Sequence, residues 1–261
     1  MPSAGAGGPG PISLLGRPAV WLVGGLVAVT AVSWIYLFRM AQDMDAMCHC
    51  EEMMMPGGAG MSIGWMLAMW VVMMVAMMVP TAAPMTLFYA RFRRGRRPAD
   101  RIVLPSSLFL LGYIVAWTVF SIAATALQVM LERTAVMSPM SMKLESRFLG
   151  GAILVIAGVF QWTPWKNACL GRCRSPIGFF MTRWRDGAGG SFFMGVHHGL
   201  SCLGCCWALM LLLFVLGTMN MLWIAALTAL VLIEKVAPRG DLVARVAGVA
   251  MVAAGAWMIA S

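Results

Sequence analysis

The chain has 261 residues, 61% of them hydrophobic and only 11% charged, with a formal net charge of +9. A soluble domain carries about 25% charged residues, so this composition excludes a water-facing globule and defines a polytopic membrane protein. The excess positive charge does not read as a nucleic-acid footprint, because it falls in clusters between apolar runs, as the positive-inside rule expects.

Residues 1–18 are rich in Gly, Pro and Ala and read as a flexible cytoplasmic N-terminus, followed by a single transmembrane domain over 19–261. A span needs roughly 20 apolar residues. Seven candidates follow in order, at 19–38, 63–89, 102–131, 148–162, 192–216, 219–236 and 242–260. The first lacks a cleavage site and is expected to be retained rather than removed as a signal peptide. The expected fold class is therefore all-α, a bundle of about seven transmembrane helices.

Between the first two candidates, residues 40–62 form an expected external loop containing "MAQDMDAMCHCEEMMM". Thioether, thiolate and imidazole are the ligand types that suit copper. Cys48, His49 and Cys50 together with the surrounding methionines are accordingly candidates for metal capture. Exposed methionines gain nothing from packing, which counts against a merely structural loop.

The second candidate span continues the enrichment: 14 of the 26 methionines lie between Met40 and Met85. At 100° per residue, Met66, Met69, Met73 and Met77 make a stripe about 80° wide, widened by Met74 and Met78. Such a stripe alone reads as core packing before it reads as a ladder of ligands; beside cysteines that order reverses. Pro80 and Pro84 follow, where proline bends a helix and frees carbonyls.

Six arginines and one aspartate occupy 91–101. Lys166, Arg172, Arg174, Arg183 and Arg185 follow the fourth candidate, and Lys235 and Arg239 follow the sixth. With seven spans these groups share one side with the N-terminus, which assigns that side to the cytoplasm. Carboxylates fall in loops or at span ends, which argues against a proton-coupled carrier or a channel for hard cations. No phosphate-binding G-x-x-x-x-G-K-[ST] loop is present.

Cys169 and Cys173 stand in "QWTPWKNACLGRCRSP", an expected basic cytoplasmic loop. They read equally as exchange ligands and as reduced, idle thiols in a short interfacial helix. In "MGVHHGLSCLGCCWALM", His198, Cys202 and Cys205 lie within about 60° on a helical wheel; Cys206 flanks them and His197 turns away. Glycines 195, 199 and 204 permit close helix approach. The cysteine count is seven, at irregular spacing, which makes a poor disulfide framework.

The motifs "MLAMWVVMMVAMMVPTAAPM", "QWTPWKNACLGRCRSP" and "GLSCLGCCWALM", in that order, resemble the bacterial family of predicted metal-binding integral membrane proteins (domain of unknown function 2182). The resemblance implies metal binding and a multi-pass inner-membrane location. It carries over to Met73, Met74, Met77, Met78 and Pro80, to Cys169 and Cys173, and to Cys202, Cys205 and Cys206.

The expected function is binding of a soft transition metal, foremost copper(I), and its transport or hand-over. The partners would be the metal ion, the lipid bilayer, and a periplasmic or cytoplasmic metallochaperone or a membrane metalloenzyme; nucleic acid is not among them. Two alternatives stand beside it. One is a membrane thiol–disulfide oxidoreductase using Cys202 and Cys205. The other is a delivery or assembly subunit for a membrane metalloenzyme. With only His49, His197 and His198 available, no pair of axial haem ligands can be drawn from two helices.

Overall fold

The computed structural model describes residues 17–51, 62–94, 102–138 and 143–261. The chain is all-α: helices α1 (Arg17–Glu51), α2 (Ile63–Arg94), α3 (Val103–Arg133), α4 (Arg147–Phe160), α5 (Pro164–Arg174), α6 (Pro176–Arg183), α7 (Gly187–Leu216), α8 (Met221–Val236) and α9 (Gly240–Ala260) account for nearly all of the described residues. A two-residue antiparallel ladder, β1 (Met137–Ser138) on β2 (Lys143–Leu144), ties the α3–α4 connection.

Seven full spans are not confirmed among the described residues. Five of the described helices are long and apolar enough to cross a membrane: α1, α2, α3, α7 and α9. The fourth candidate becomes the 14-residue α4, which turns through 63° into α5, so that the two together make at most a broken sixth span. The sixth candidate is α8, only 16 residues long. The turn between α4 and α5 is written locally: Thr163 caps α5 by accepting from the Lys166 amide, and Pro164 fills its first position, where a missing N–H costs nothing. The same device, with Ser175 and Pro176, starts α6. Asn220 caps α8 through its side-chain oxygen, and Gly217, at φ 97°, ends α7 in a conformation that disfavours other residues.

Apolar side chains gain little by leaving lipid for a bundle interior, so membrane helices associate through close packing and hydrogen bonds. Glycine provides the close packing here. A Cβ at Gly199 would fall 2.6 Å from that of Ala116, and Gly195 lies against the backbone of Phe109. These two glycines, one turn apart on α7, bring it onto α3. On the other side of the molecule α4 and α9 pair reciprocally: Gly151 faces the Gly255 carbonyl and Gly158 the Gly248 carbonyl. The core lies between α2, α3, α5 and α7, and α9 has most of its surface outside it.

The interior is more polar than the placement of carboxylates in loops and at span ends suggests. Lys166 and Glu234, 0% and 2% exposed, form an ion pair of 2.7 Å. Lys166 also donates to the Gln161 side chain at the end of α4. The α4–α5 corner is thus tied to α8 by a buried charge pair, as irregular backbone at membrane depth requires.

Candidate functional site

Four helices converge on the sulfur of Cys202. From α3, Tyr113 brings its hydroxyl to 3.0 Å of Cys202 Sγ and 3.2 Å of the Met78 carbonyl. From α8, Lys235 places Nζ 2.8 Å from the same sulfur and 2.9 Å from Thr81 Oγ1 on α2. Thr81 in turn donates to the Met78 carbonyl at 2.9 Å and lies 3.9 Å from the Met78 thioether. An ammonium against a buried sulfur is the arrangement that favours a thiolate. Tyr113 has one proton: it serves Cys202 when that sulfur is anionic and Met78 when it is not.

The other cysteines gather round. The thiols of Cys205 and Cys206 both donate to the Cys202 carbonyl, at 3.0 and 2.9 Å. From α5, Cys173 packs against the core cluster that contains Cys202 and Cys205. Cys169, also on α5, lies against Gly204, where a Cβ would come within 2.8 Å of its sulfur. Cys169 and Cys173 are therefore not in a solvated basic loop. They belong to a capped helix packed on α7, and α5 reaches it because the chain turns back at Thr163. All five cysteines whose side chains are described are free thiols.

Met73, Met74, Met77 and Met78 are fully buried in the same continuous core as Cys202, Cys205 and Cys206. Met69 is buried there too, one turn outward beside Trp70; Met66 is buried but stands outside that cluster. Because lipid would accommodate these side chains equally well, hydrophobicity does not account for so many thioethers facing inward. Pro80 cannot donate to the Ala76 carbonyl, and the indole of Trp34 on α1 does so instead at 3.1 Å. The carbonyl that Pro80 leaves free is thereby satisfied from outside α2.

His198 is buried, one turn before Cys202, but its ring stacks on Tyr113 and Phe109 at centroid distances of 5.4 and 5.9 Å. Its Nδ1 finds no partner among the described residues. The residues expected as an external loop begin as helix, since α1 runs on to Glu51. Cys48, His49 and Cys50 sit in its last turns, and their side chains lie outside the described residues.

Among the described residues, no three His, Cys, Asp or Glu side chains enclose a point where a metal ion would sit. Cys205 and Cys206 are turned onto a carbonyl rather than towards a common centre. The arrangement instead offers pairs of sulfurs from different helices, supplemented by thioethers. That donor set suits copper(I), a soft d10 ion, and does not suit hard cations.

These features define a class: a helix bundle of membrane-spanning composition with a buried cluster of thiols and thioethers. More particularly, residues 67–258 match the family model PpoB2, described as copper chaperone, and the chain belongs to that family. The matched region contains α3 to α8 entirely, with most of α2 and α9. No curated protein and no solved structure matches the chain.

Sequence reasoning missed Lys235, Tyr113 and Thr81. Lys235 had been grouped with the loop charges, yet it is on α8 and turns inward. A signal was present: Glu234 and Lys235 precede Pro238 at the end of an apolar run too short to span alone.

Proposed function

We propose that the protein is a multi-pass membrane copper(I) carrier that holds the ion between the cysteines of α7 and α5 and the methionine face of α2, and hands it to another protein. The single observation that carries this reading is the packing of Cys173 against the buried cluster that holds Cys202, Cys205 and Met78 together. Three segments far apart in the chain deliver soft ligands to one buried place. Cys202 and Cys173 are the principal ligands in this reading, with Cys205 turned aside onto the Cys202 carbonyl. Met74, Met77 and Met78 form the path by which the ion arrives, since thioethers hold it less tightly than thiolates. Cys206, Cys169 and His198 line the surroundings. Cys48, His49 and Cys50, with Met66 and Met69 below them, supply capture at the outer end.

The orientation belongs to the same proposal. Arginines cluster on the α2–α3 connection and on α5 and α6, placing those ends and the N-terminus in the cytoplasm of an inner membrane. Seven segments then cross or partly cross, with α4–α5 as a broken span and α8 as a short one.

The test is copper content after purification under reducing conditions, for the wild type and for Cys202→Ser/Cys205→Ser/Cys206→Ser. Stoichiometric copper(I) in the first and its loss in the second is the expected result. Absence of copper from the wild type would overturn the reading.

The packing of Cys173 against the cluster that contains Cys202 also favours a second reading, a thiol–disulfide oxidoreductase in which a Cys202 thiolate attacks a substrate disulfide and Cys173 resolves it. Trapping of a mixed disulfide in Cys173→Ser would support this chemistry. It leaves the methionines without a role.

A further inference from the structure

We infer that Lys235 is the specificity-determining residue of the sulfur site: its fixed positive charge matches a bis-thiolate to a monovalent ion and discriminates against divalent ones. The inference rests on the proposed copper site and adds to it the reason for the choice of ion.

The argument is one of charge in a closed space. Cys202 is fully buried, and its sulfur is approached by Lys235 Nζ at 2.8 Å and the Tyr113 hydroxyl at 3.0 Å. Lys235 is anchored by Thr81 at 2.9 Å. Its neighbour Glu234 does not neutralise it, because Glu234 is engaged by Lys166 at 2.7 Å. The nearest anionic partner that the structure gives Lys235 is therefore Cys202 itself.

A monovalent copper ion held by the Cys202 and Cys173 thiolates carries a net charge of minus one. The ammonium of Lys235 brings the assembly to zero, with the proton of the second thiol released to solvent as it ligates. A zinc ion on the same pair would be neutral, and with Lys235 the assembly would carry an uncompensated positive charge. Isolated charge is strongly disfavoured in a low-dielectric interior. A third thiolate would cancel it, but the Cys205 and Cys206 thiols are turned onto the Cys202 carbonyl. Silver(I), which has the same charge and softness as copper(I), should be accepted.

The experiment measures affinities of the purified full chain in detergent, under reducing conditions, by competition with chromophoric chelators for copper(I), silver(I) and zinc(II). The variants are Lys235→Met, which keeps an unbranched chain without charge, and Lys235→Arg, which keeps the charge. Outer-shell partners of metal ligands commonly change affinity by about 10- to 100-fold. Lys235→Met should weaken copper(I) and silver(I) together by that factor and strengthen zinc(II), so that the copper-to-zinc ratio falls. Lys235→Arg should retain the wild-type ratio even where both affinities drop. A general loss of structure lowers all three ions in parallel and leaves the ratio alone, so a ratio unchanged in Lys235→Met overturns the inference while leaving copper binding intact. A wild type that binds no copper(I) overturns the underlying site instead.

Discussion

Two lysines turn into this molecule, Lys166 fully buried and Lys235 half-buried, and their partners differ. Lys166 is held by the carboxylate of Glu234 and the amide of Gln161, joining the α4–α5 corner to α8. Lys235, next to Glu234 in the chain, turns about 100° round the helix and meets the sulfur of Cys202 and the hydroxyl of Thr81. The first lysine has a permanent counter-ion that cannot take up a soft metal. The second has one that can. A membrane interior tolerates both, but only the second pairing leaves a ligand open to exchange.

The largest effect expected from breaking this comparison comes from Lys166→Met. It leaves the Glu234 carboxylate buried and unpaired, at a cost of about 3–5 kcal/mol, read as a lowered unfolding temperature in detergent. Lys166→Met/Glu234→Leu should recover most of that loss. If Lys166→Met proves as stable as the wild type, the two lysines are not distinguished by the permanence of their partners.

The sulfur side is reached separately through its packing. Gly195→Ala forces a Cβ into the backbone of Phe109 and should cost about 1–3 kcal/mol. It should weaken copper(I) binding by moving Tyr113 away from Cys202. Gly189→Ala, with nothing within 4 Å of the added carbon, is the control expected to change neither.

Tyr113→Phe removes one of the two donors to the Cys202 sulfur. A hydrogen bond to a charged group contributes about 1.5 kcal/mol or somewhat more, so copper(I) affinity should fall by about tenfold. Thr81→Val is expected to have the smallest effect, about 1 kcal/mol or less, because Lys235 retains its contact with the sulfur. Chelator competition measures both. A larger loss in Thr81→Val than in Tyr113→Phe would make Lys235's anchoring, rather than donation to sulfur, the dominant contribution.

Much of the architecture was legible in the composition and apolar runs, because a long uncharged stretch has few alternatives in lipid. The methionine face of α2 and the shared face of Cys202 and Cys205 followed from helical periodicity. The α4–α5 corner did not. Hydropathy marks α5 as a loop, for it contains three basic residues, and only the cap "TPWK" announces a helix there. Reading it as a basic loop or a short interfacial helix left Cys169 and Cys173 undecided between exchange and idleness and set Lys166 among the loop charges. Lys235 was hidden for a different reason: a long side chain at a helix end can serve either side, and only tertiary contacts decide which. The extension of α1 to Glu51 was likewise obscured by an acidic, methionine-rich segment that hydropathy assigns to water.

That extension has a mechanical consequence. Trp34 fastens α1 to the carbonyl that Pro80 leaves free on α2, and the same helix continues without interruption past Cys48. From Trp34 to Cys48 is about 21 Å at 1.5 Å per residue. A stiff rod of that length acts as a lever: tilting it by about 10° at the fulcrum sweeps its far end through roughly 4 Å. Any tilt of α1 about Trp34 is thus magnified at the stretch that carries Cys48, His49 and Cys50.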